Sequence, residues 1–324
     1  AGQTVAHRQM AIKDYDFAAA MPSDKASGKF KIKNKKGSDN ISIKADGTDI
    51  MFSKQTGYIS KYVANGNYIL GNGGTLKPNF WRAVTDNDMG SGINMNYKIW
   101  NNPAMNLTGI TAALNPKTNC VDVVATYDMP DVKATLTITY AIATDGKMKV
   151  TEAMTTDKQA KVSDMFRFGM VMDLPYSMDR SKFYGRGPIE NYSDRKLSQN
   201  IGIYEQTADD QFYPYIRPQE TGTKSDIRWW QQTTPAGVGF TVASDKAFSA
   251  SALHYNISDL NDGDEKEQRH CPQIPKSKFT ELCIDAIQAG VGGIDSWSLN
   301  ARALPQYRVT YQDRTFTFWI NPNK

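Results

Sequence analysis

The 324-residue chain is poor in the residue types that most often mark a site. It has three cysteines (Cys120, Cys271, Cys283) and three histidines (His7, His254, His270). No C-x-x-C pair occurs and no metal-ligand spacing joins these six residues, so no metal site is expected. The odd, widely spaced cysteines imply no disulfide framework. No apolar run approaches the roughly 20 residues of a membrane-spanning helix. No signal-peptide pattern opens the chain, which begins Ala-Gly-Gln without Met, as a processed product or a piece of something longer would. A soluble protein, cytoplasmic or periplasmic, is expected, with no membrane partner. Charge of one sign is scarce as well: 38 Lys and Arg face 34 Asp and Glu, for a net charge of +4. That balance argues against a nucleic-acid partner. The densest basic stretch, "KFKIKNKK" (Lys29–Lys36), reads as an edge strand whose lysines discourage edge-to-edge pairing. No long amphipathic helix is evident. The best short candidate is Leu260–His270, and a charged loop fits it equally.

What is present is period two. "ATLTITYAI" (Ala134–Ile142) and "KMKVTEAM" (Lys147–Met154) alternate around a turn-type Asp-Gly, which predicts a hairpin. "GYISKYV" and "NYIL" flank Asn65-Gly66, a second hairpin signal. "YRVTYQD" and "RTFTFWI" read as the closing strands. Val, Ile, Thr, Tyr and Phe fill these runs, as strands prefer. With 40% apolar and 11% aromatic residues, the chain can bury a large core. An all-β, large antiparallel sandwich is expected. Residues 1–26 read as separate: "TVAHRQMAI" as one strand left over from a preceding domain, then "AAAMPSDKASG" as a linker.

Four blocks carry the side chains capable of chemistry. In "FYGRGPIENYSDR" (Phe183–Arg195), Glu190 and Asp194 could be the acid and base of a glycosidase. Arg186 and Arg195 lie close by, and an arginine beside an acid holds it as a carboxylate. The preferred reading is a buried ion network, with Asn191, fixing a Gly-Pro turn. In "FWRAVTDNDMGSG" (Phe80–Gly92), Asp86, Asn87 and Asp88 offer oxygen ligands but lack the spacing of a calcium loop. A turn followed by a flexible loop around Gly90 is expected there. In "QFYPYIRPQETGTKSDIRWW" (Gln211–Trp230), Glu220 reads as an ion-pair partner of Arg217 or Arg228. Trp229 and Trp230, being adjacent in a strand, should face opposite ways. In "GVGGIDSWSLN" (Gly290–Asn300), a glycine-rich loop carries Asp295 and Trp297. The indole is either covered by its own domain or offered to the apolar face of a sugar.

Taken together, "NFWRAVTDNDMG", "YGRGPIENYSDR", "YPYIRPQETGTKSDIRW", "SALHY" and "GVGGIDSW", in this order, resemble the C-terminal domain of the large β-galactosidases of glycoside hydrolase family 2. The resemblance runs from about residue 27 to the C-terminus. "AHRQ" resembles the last strand of the immunoglobulin-like domain that precedes it there. The resemblance implies a β-supersandwich similar to galactose mutarotases over 27–324. It also implies that the two catalytic glutamates lie on a barrel elsewhere, so that this chain carries no catalytic residue. Trp297, with Asp295 and Gly90 beside it, would complete the sugar site, and Gly90 would lie in a loop that shifts between open and closed forms. Asp86, Asn87, Asp88, Arg186, Glu190, Asn191, Asp194, Arg195 and Glu220 become a structural signature. Val84 and Ile294 depart from the commonest Pro and Asp of those blocks. The implied partners are the barrel and other domains, a galactoside, and further copies in a homo-oligomer. No cofactor is expected in this chain, and Mg and Na would belong to other domains. Two rival readings remain. A stand-alone carbohydrate-binding module would have to bind through one exposed Trp, which gives millimolar affinity at best. A mutarotase or epimerase would need an acid and a base, for which His254 and Glu220 are the nominees.

Overall fold

A computed structural model describes residues 7–261, 264 and 269–323. Among them the fold is antiparallel β throughout. A five-stranded sheet runs β1 (Lys31–Lys33), β2 (Asn40–Ala45), β3 (Thr48–Ser53), β4 (Ile59–Ala64) and β5 (Asn67–Tyr68), paired in sequence order. A larger sheet is built from β6 (Leu76–Asn79), β7 (Asn106–Leu114), β8 (Val121–Met129), β9 (Ala134–Ile142), β10 (Met148–Thr156), β11 (Arg167–Pro175), β12 (Arg180–Gly187), β13 (Asn200–Thr207), β14 (Lys224–Thr233), β15 (Gly239–Leu253), β16 (Phe279–Gln288) and β17 (Arg314–Pro322).

The larger sheet divides at β15. Its first part, Phe240–Ser244, pairs with β17, which leads on through β10, β9 and β8 to β7. Its last part, Ser249–Leu253, pairs with β16, which leads to β11 and then β6. Alternation supplies the buried face of each strand. Val121, Val123, Ala125, Tyr127 and Met129 of β8 are fully buried, as are Leu136, Ile138, Tyr140 and Ile142 of β9. They share one core with Ile41, Ile43, Phe52 and Tyr62 of the smaller sheet. The same alternation buries Glu152 of β10, and burial raises its pKa well above the carboxyl range.

Both hairpins form. Asn65 (φ 51°) and Gly66 (φ 77°) are left-handed, as the two-residue turn joining β4 and β5 requires. Trp230 is buried in the core while Trp229 is half-buried on the opposite face. Lys31–Lys33 is an edge strand that pairs only with β2. "YRVTYQD" does not form a strand. Only Val309 bridges, to Met165, and the ladder between β10 and β17 ends at Met154 and Arg314. Of the expected strand Thr4–Ile12, residues 4–6 lie outside the described residues and 7–12 are not in a strand. Gln9 there exchanges two hydrogen bonds with the backbone of Ile201 on edge strand β13, donating at 2.8 Å and accepting at 2.6 Å. The expected linker contains a single helical turn, α1 (Phe17–Ala20), capped by Asp16. The helix candidate Leu260–His270 falls largely outside the described residues. No helix among them is long and apolar enough to cross a membrane.

Candidate functional site: a clamped tryptophan loop

The "FWRAVTDNDMG" block leaves β6 and folds into a single-turn helix, α2 (Asp86–Gly90). Thr85 caps it in a reciprocal box: the Asp88 N–H donates to Thr85 Oγ1 at 3.1 Å and the Thr85 N–H to Asp88 Oδ2 at 2.9 Å. This local capping turns the expected flexible loop into a helix. Asp88 also receives Arg82 Nε at 3.0 Å and Arg82 Nη2 at 2.8 Å, a two-pronged pair buried on both sides. Arg82 then donates to the Ala289 carbonyl at 2.8 Å and the Gly290 carbonyl at 3.0 Å. Asn87 donates to the Val291 carbonyl at 3.0 Å. Asp86 pairs with Arg217 at 2.9 Å. Asn87 directly, and Asp88 through Arg82, therefore anchor the root of the 290–300 loop. Among the described residues no group of three or more His, Cys, Asp or Glu could hold a metal.

The same loop is held from its other side by Asp194, whose carboxylate accepts the Val291 N–H at 3.1 Å and the Gly292 N–H at 2.8 Å. A β-carbon on Gly290 would lie 2.3 Å from Asp194 Oδ2, so this approach needs glycine. Gly90 packs against the far arm of the loop: a β-carbon there would lie 2.1 Å from the Ser296 carbonyl oxygen and 3.0 Å from Trp297 Cα.

Glu190 sits elsewhere. It accepts Arg195 Nη2 at 2.7 Å, Thr221 Oγ1 at 3.0 Å, the Gly222 N–H at 2.8 Å and the Tyr215 hydroxyl. Arg195 thus pairs with Glu190, and Asp194 accepts backbone N–H groups instead. Arg186 pairs with Asp226 at 2.6 Å, and Asn191 donates to the Arg186 and Ile189 carbonyls at 3.0 Å each, across the Gly187-Pro188 turn. Glu190 and Asp194 therefore serve separate segments, the 221–222 turn and the 290–292 backbone.

Glu220 pairs with neither Arg217 nor Arg228. It receives Arg167 Nη2 at 2.8 Å and Thr223 Oγ1 at 2.8 Å in the protein interior. Asp285 lies 3.5 Å from the same guanidinium. Burial pushes the Asp285 pKa up to about 7, against the pull of Arg167. His254 is engaged on both nitrogens, with Asp209 at 3.0 Å and the Tyr176 carbonyl at 3.1 Å, and its ring stacks on Tyr176 at 3.8 Å. Among the described residues Glu220 and His254 have no hydrogen-bond partner in common.

The loop so held presents Trp297 82% exposed, beside exposed Ile294 and Leu299. Asp295 faces inward on its own loop. It accepts the Trp297 N–H at 3.2 Å, the Ser298 N–H at 3.0 Å and Ser298 Oγ at 2.5 Å. The Ser298 hydroxyl holds the Asp295 carboxyl below its usual pKa. Asp295 therefore shapes the loop, and Trp297 is the side chain it offers. Sequence reasoning missed Arg82, although Asp88 lies in its own block, and missed Arg167 and Asp285, which lie outside the four blocks. The one available signal was an arginine inside an otherwise apolar run, "NFWRAV", where it had to find a buried anion.

The sequence matches the family model for the β-galactosidase small chain over residues 44–320. It is 29% identical to a β-galactosidase of Priestia megaterium over 99% of this chain and 30% of that protein. It is 31% identical to one of Lactobacillus delbrueckii subsp. bulgaricus over 84% of this chain and 27% of that protein. A β-galactosidase small subunit of Latilactobacillus sakei is 27% identical over 88% of this chain and 96% of that subunit. The chain thus spans less than a third of the first two relatives and nearly all of the third. Among solved structures, galactose 1-epimerase of Lactobacillus acidophilus NCFM aligns over 92% of this chain and 99% of its own, at 8% identity and a TM-score of 0.47. Nothing about the site is carried across at that similarity. With the family model matched over most of its length, the chain belongs to the β-galactosidase small chain family.

Proposed function

We propose that this chain is the C-terminal supersandwich part of a retaining family 2 β-galactosidase, and that Trp297 lines the aglycone side of an active site whose catalytic glutamates are carried on a barrel elsewhere. Residues 1–26 are read as the tail of a preceding immunoglobulin-like domain. The observation that carries the reading is Trp297, left 82% exposed on a loop tied down at Arg82, Asn87, Gly90 and Asp194. A fixed, uncovered indole suits a flat sugar face or a neighbouring domain. The partners are the barrel-bearing polypeptide and a β-galactoside, the assembled enzyme being a homo-oligomer. Mg and Na would be held by its other domains.

Covering one indole face removes on the order of 100 Å² from water, worth about 2.5 kcal/mol. That corresponds to roughly 60-fold in binding. The chain alone is expected not to hydrolyse a nitrophenyl β-galactoside. Combined with the barrel-bearing polypeptide it restores turnover, and Trp297→Ala lowers kcat/KM by about 10–100-fold, mainly through KM. Enzyme-like turnover by the purified chain, or a reconstituted Trp297→Ala enzyme equal to wild type, would refute the proposal.

A further inference from the structure

An edge strand offers unpaired N–H and C=O groups to any other strand, and native sheets blunt their edges against this. Most edges of this fold are blunted. β1 carries Lys31 and Lys33, β5 is only Asn67–Tyr68, and β6 is a short strand holding Pro78. β13 has its Ile201 backbone engaged by the Gln9 side chain. β7 differs from all of these. It is nine residues long, carries no charge and no proline, and pairs with β8 alone. A bulge at Thr108 disturbs its start, so Gly109–Leu114 is the regular stretch.

The ladder fixes which groups of β7 face outward. The Asn115 N–H donates to the Cys120 carbonyl at 2.8 Å, in register with the β7–β8 pairs. Hydrogen-bonded and non-bonded pairs alternate along an antiparallel ladder. Ala113, Thr111 and Gly109 therefore bond to β8, and Ile110, Ala112 and Leu114 aim their backbone groups away from it. Among the described residues no hydrogen bond reaches those outward groups. The side chains of the same three residues lie on the core face. Ile110 and Ala112 pack there half-buried and Leu114 is 50% exposed, whereas the inward residues of β8 and β9 are buried. The core therefore lacks its cover along this edge.

We propose that β7 is a self-pairing edge, which joins a second copy of this chain antiparallel about a twofold axis at Ala112. That axis sets Ala112 against the partner's Ala112, and Ile110 against the partner's Leu114 in both directions. All the outward backbone groups then find partners, in about six hydrogen bonds. The half-covered Ile110 and Leu114 side chains meet across the axis on the core face. On the other face Thr111 meets the partner's Ala113. No charge is brought against its own copy, as the lysines of β1 would be. A twofold contact is self-complementary and closes at two copies, so the edge does not propagate into a fibre. The ribbon is small beside the roughly 1,200–2,000 Å² of a stable interface. The dimer of the chain by itself is therefore weak, with a dissociation constant on the order of 100 µM. Self-pairing does not depend on the galactosidase assignment, and the chain alone suffices to test it.

The test is sedimentation equilibrium and residue-resolved hydrogen exchange of the chain from about 10 µM to about 1 mM, a range that brackets this constant. The expected result is a monomer–dimer equilibrium. The amides of Ile110, Ala112 and Leu114 should gain about fivefold protection across it, and those of β1 and β13 none. Ala112→Pro removes an outward donor at the axis and leaves the β8 ladder whole, as an edge strand tolerates. It should raise the dissociation constant at least about tenfold. Ala112→Cys should oxidise to a covalent dimer, the native cysteines being buried. A chain still monomeric at about 1 mM, a dimer whose β7 amides stay unprotected, or one that Ala112→Pro leaves intact overturns the proposal. Protection that appears only on adding the barrel-bearing polypeptide overturns it too, since the edge then takes a different strand. The wild-type exchange decides even if a variant fails to fold.

Discussion

Replacing Arg82 with Met removes the residue that joins α2 to the root of the Trp297 loop. Arg82 is 1% exposed and makes four hydrogen bonds, two to Asp88 and two to the carbonyls of Ala289 and Gly290. Met keeps much of the packing against Phe166, over whose ring the guanidinium sits at 4.7 Å. It leaves the Asp88 carboxylate buried with only the cap donor of Thr85, and leaves two carbonyls without this donor. Breaking one side of a buried ion pair costs about 3–5 kcal/mol. Against a total stability of about 5–15 kcal/mol this is a large fraction. Urea unfolding followed by far-UV circular dichroism should show a lower midpoint at unchanged slope. Acrylamide quenching of the Trp297 indole, isolated by difference from Trp297→Ala, should increase as the loop loses its root. Arg82→Met combined with Asp88→Leu should recover part of the loss, since removing both charges ends the burial of an unpaired one. If Arg82→Met unfolds within about 0.5 kcal/mol of wild type, the normal range for surface changes, the ion pair does not anchor the loop.

Two further outcomes follow from the same geometry. Gly90→Val places carbon against the Ser296 carbonyl, a backbone atom that cannot turn aside. It should cost about 1–3 kcal/mol in thermal or urea unfolding and raise KM in a reconstituted enzyme, as Trp297→Ala does; unchanged stability and KM would show that the helix and loop do not touch. Glu281 has its folded pKa raised from 4.5 to about 8, by burial first and by Asp173. The folded state therefore holds the proton more tightly, and this contribution is full below about pH 4.5 and lost as pH rises toward 8. Glu281→Gln should flatten that fall, so the variant should gain stability relative to wild type steadily from pH 5 to 8; a pH-independent difference would contradict the assignment.

Much of the fold was legible because strand alternation and turn conformation are set by residues a few positions apart. Val121–Met129 and Ala134–Ile142 bury every second side chain, and Asn65-Gly66 adopts the left-handed pair that its residue types favour. The failures are where a distant partner overrides local pattern. Tyr307–Asp313 alternates like a strand, yet Asp313 turns its carboxylate to the Thr156 N–H and hydroxyl, and pairing with β10 begins only at Arg314. The site divides the same way. Its blocks were visible in the sequence, as was the tryptophan on a glycine-rich loop. Which acid meets which base was not: Arg82 holds Asp88 and the Ala289 carbonyl, Asp194 holds the N–H groups of Val291 and Gly292, and Glu220 finds Arg167 rather than Arg217 or Arg228. The sequence by itself determined the strands, the hairpins and the block that carries Trp297. Only the tertiary structure decided that Asp88, through Arg82, and Asp194 hold that loop while Trp297 is left exposed with Ile294 and Leu299. The physical reason is that an ion pair or hydrogen bond depends on separation in space, and a fold that brings residue 82 to residue 289 leaves no trace of that contact in local spacing.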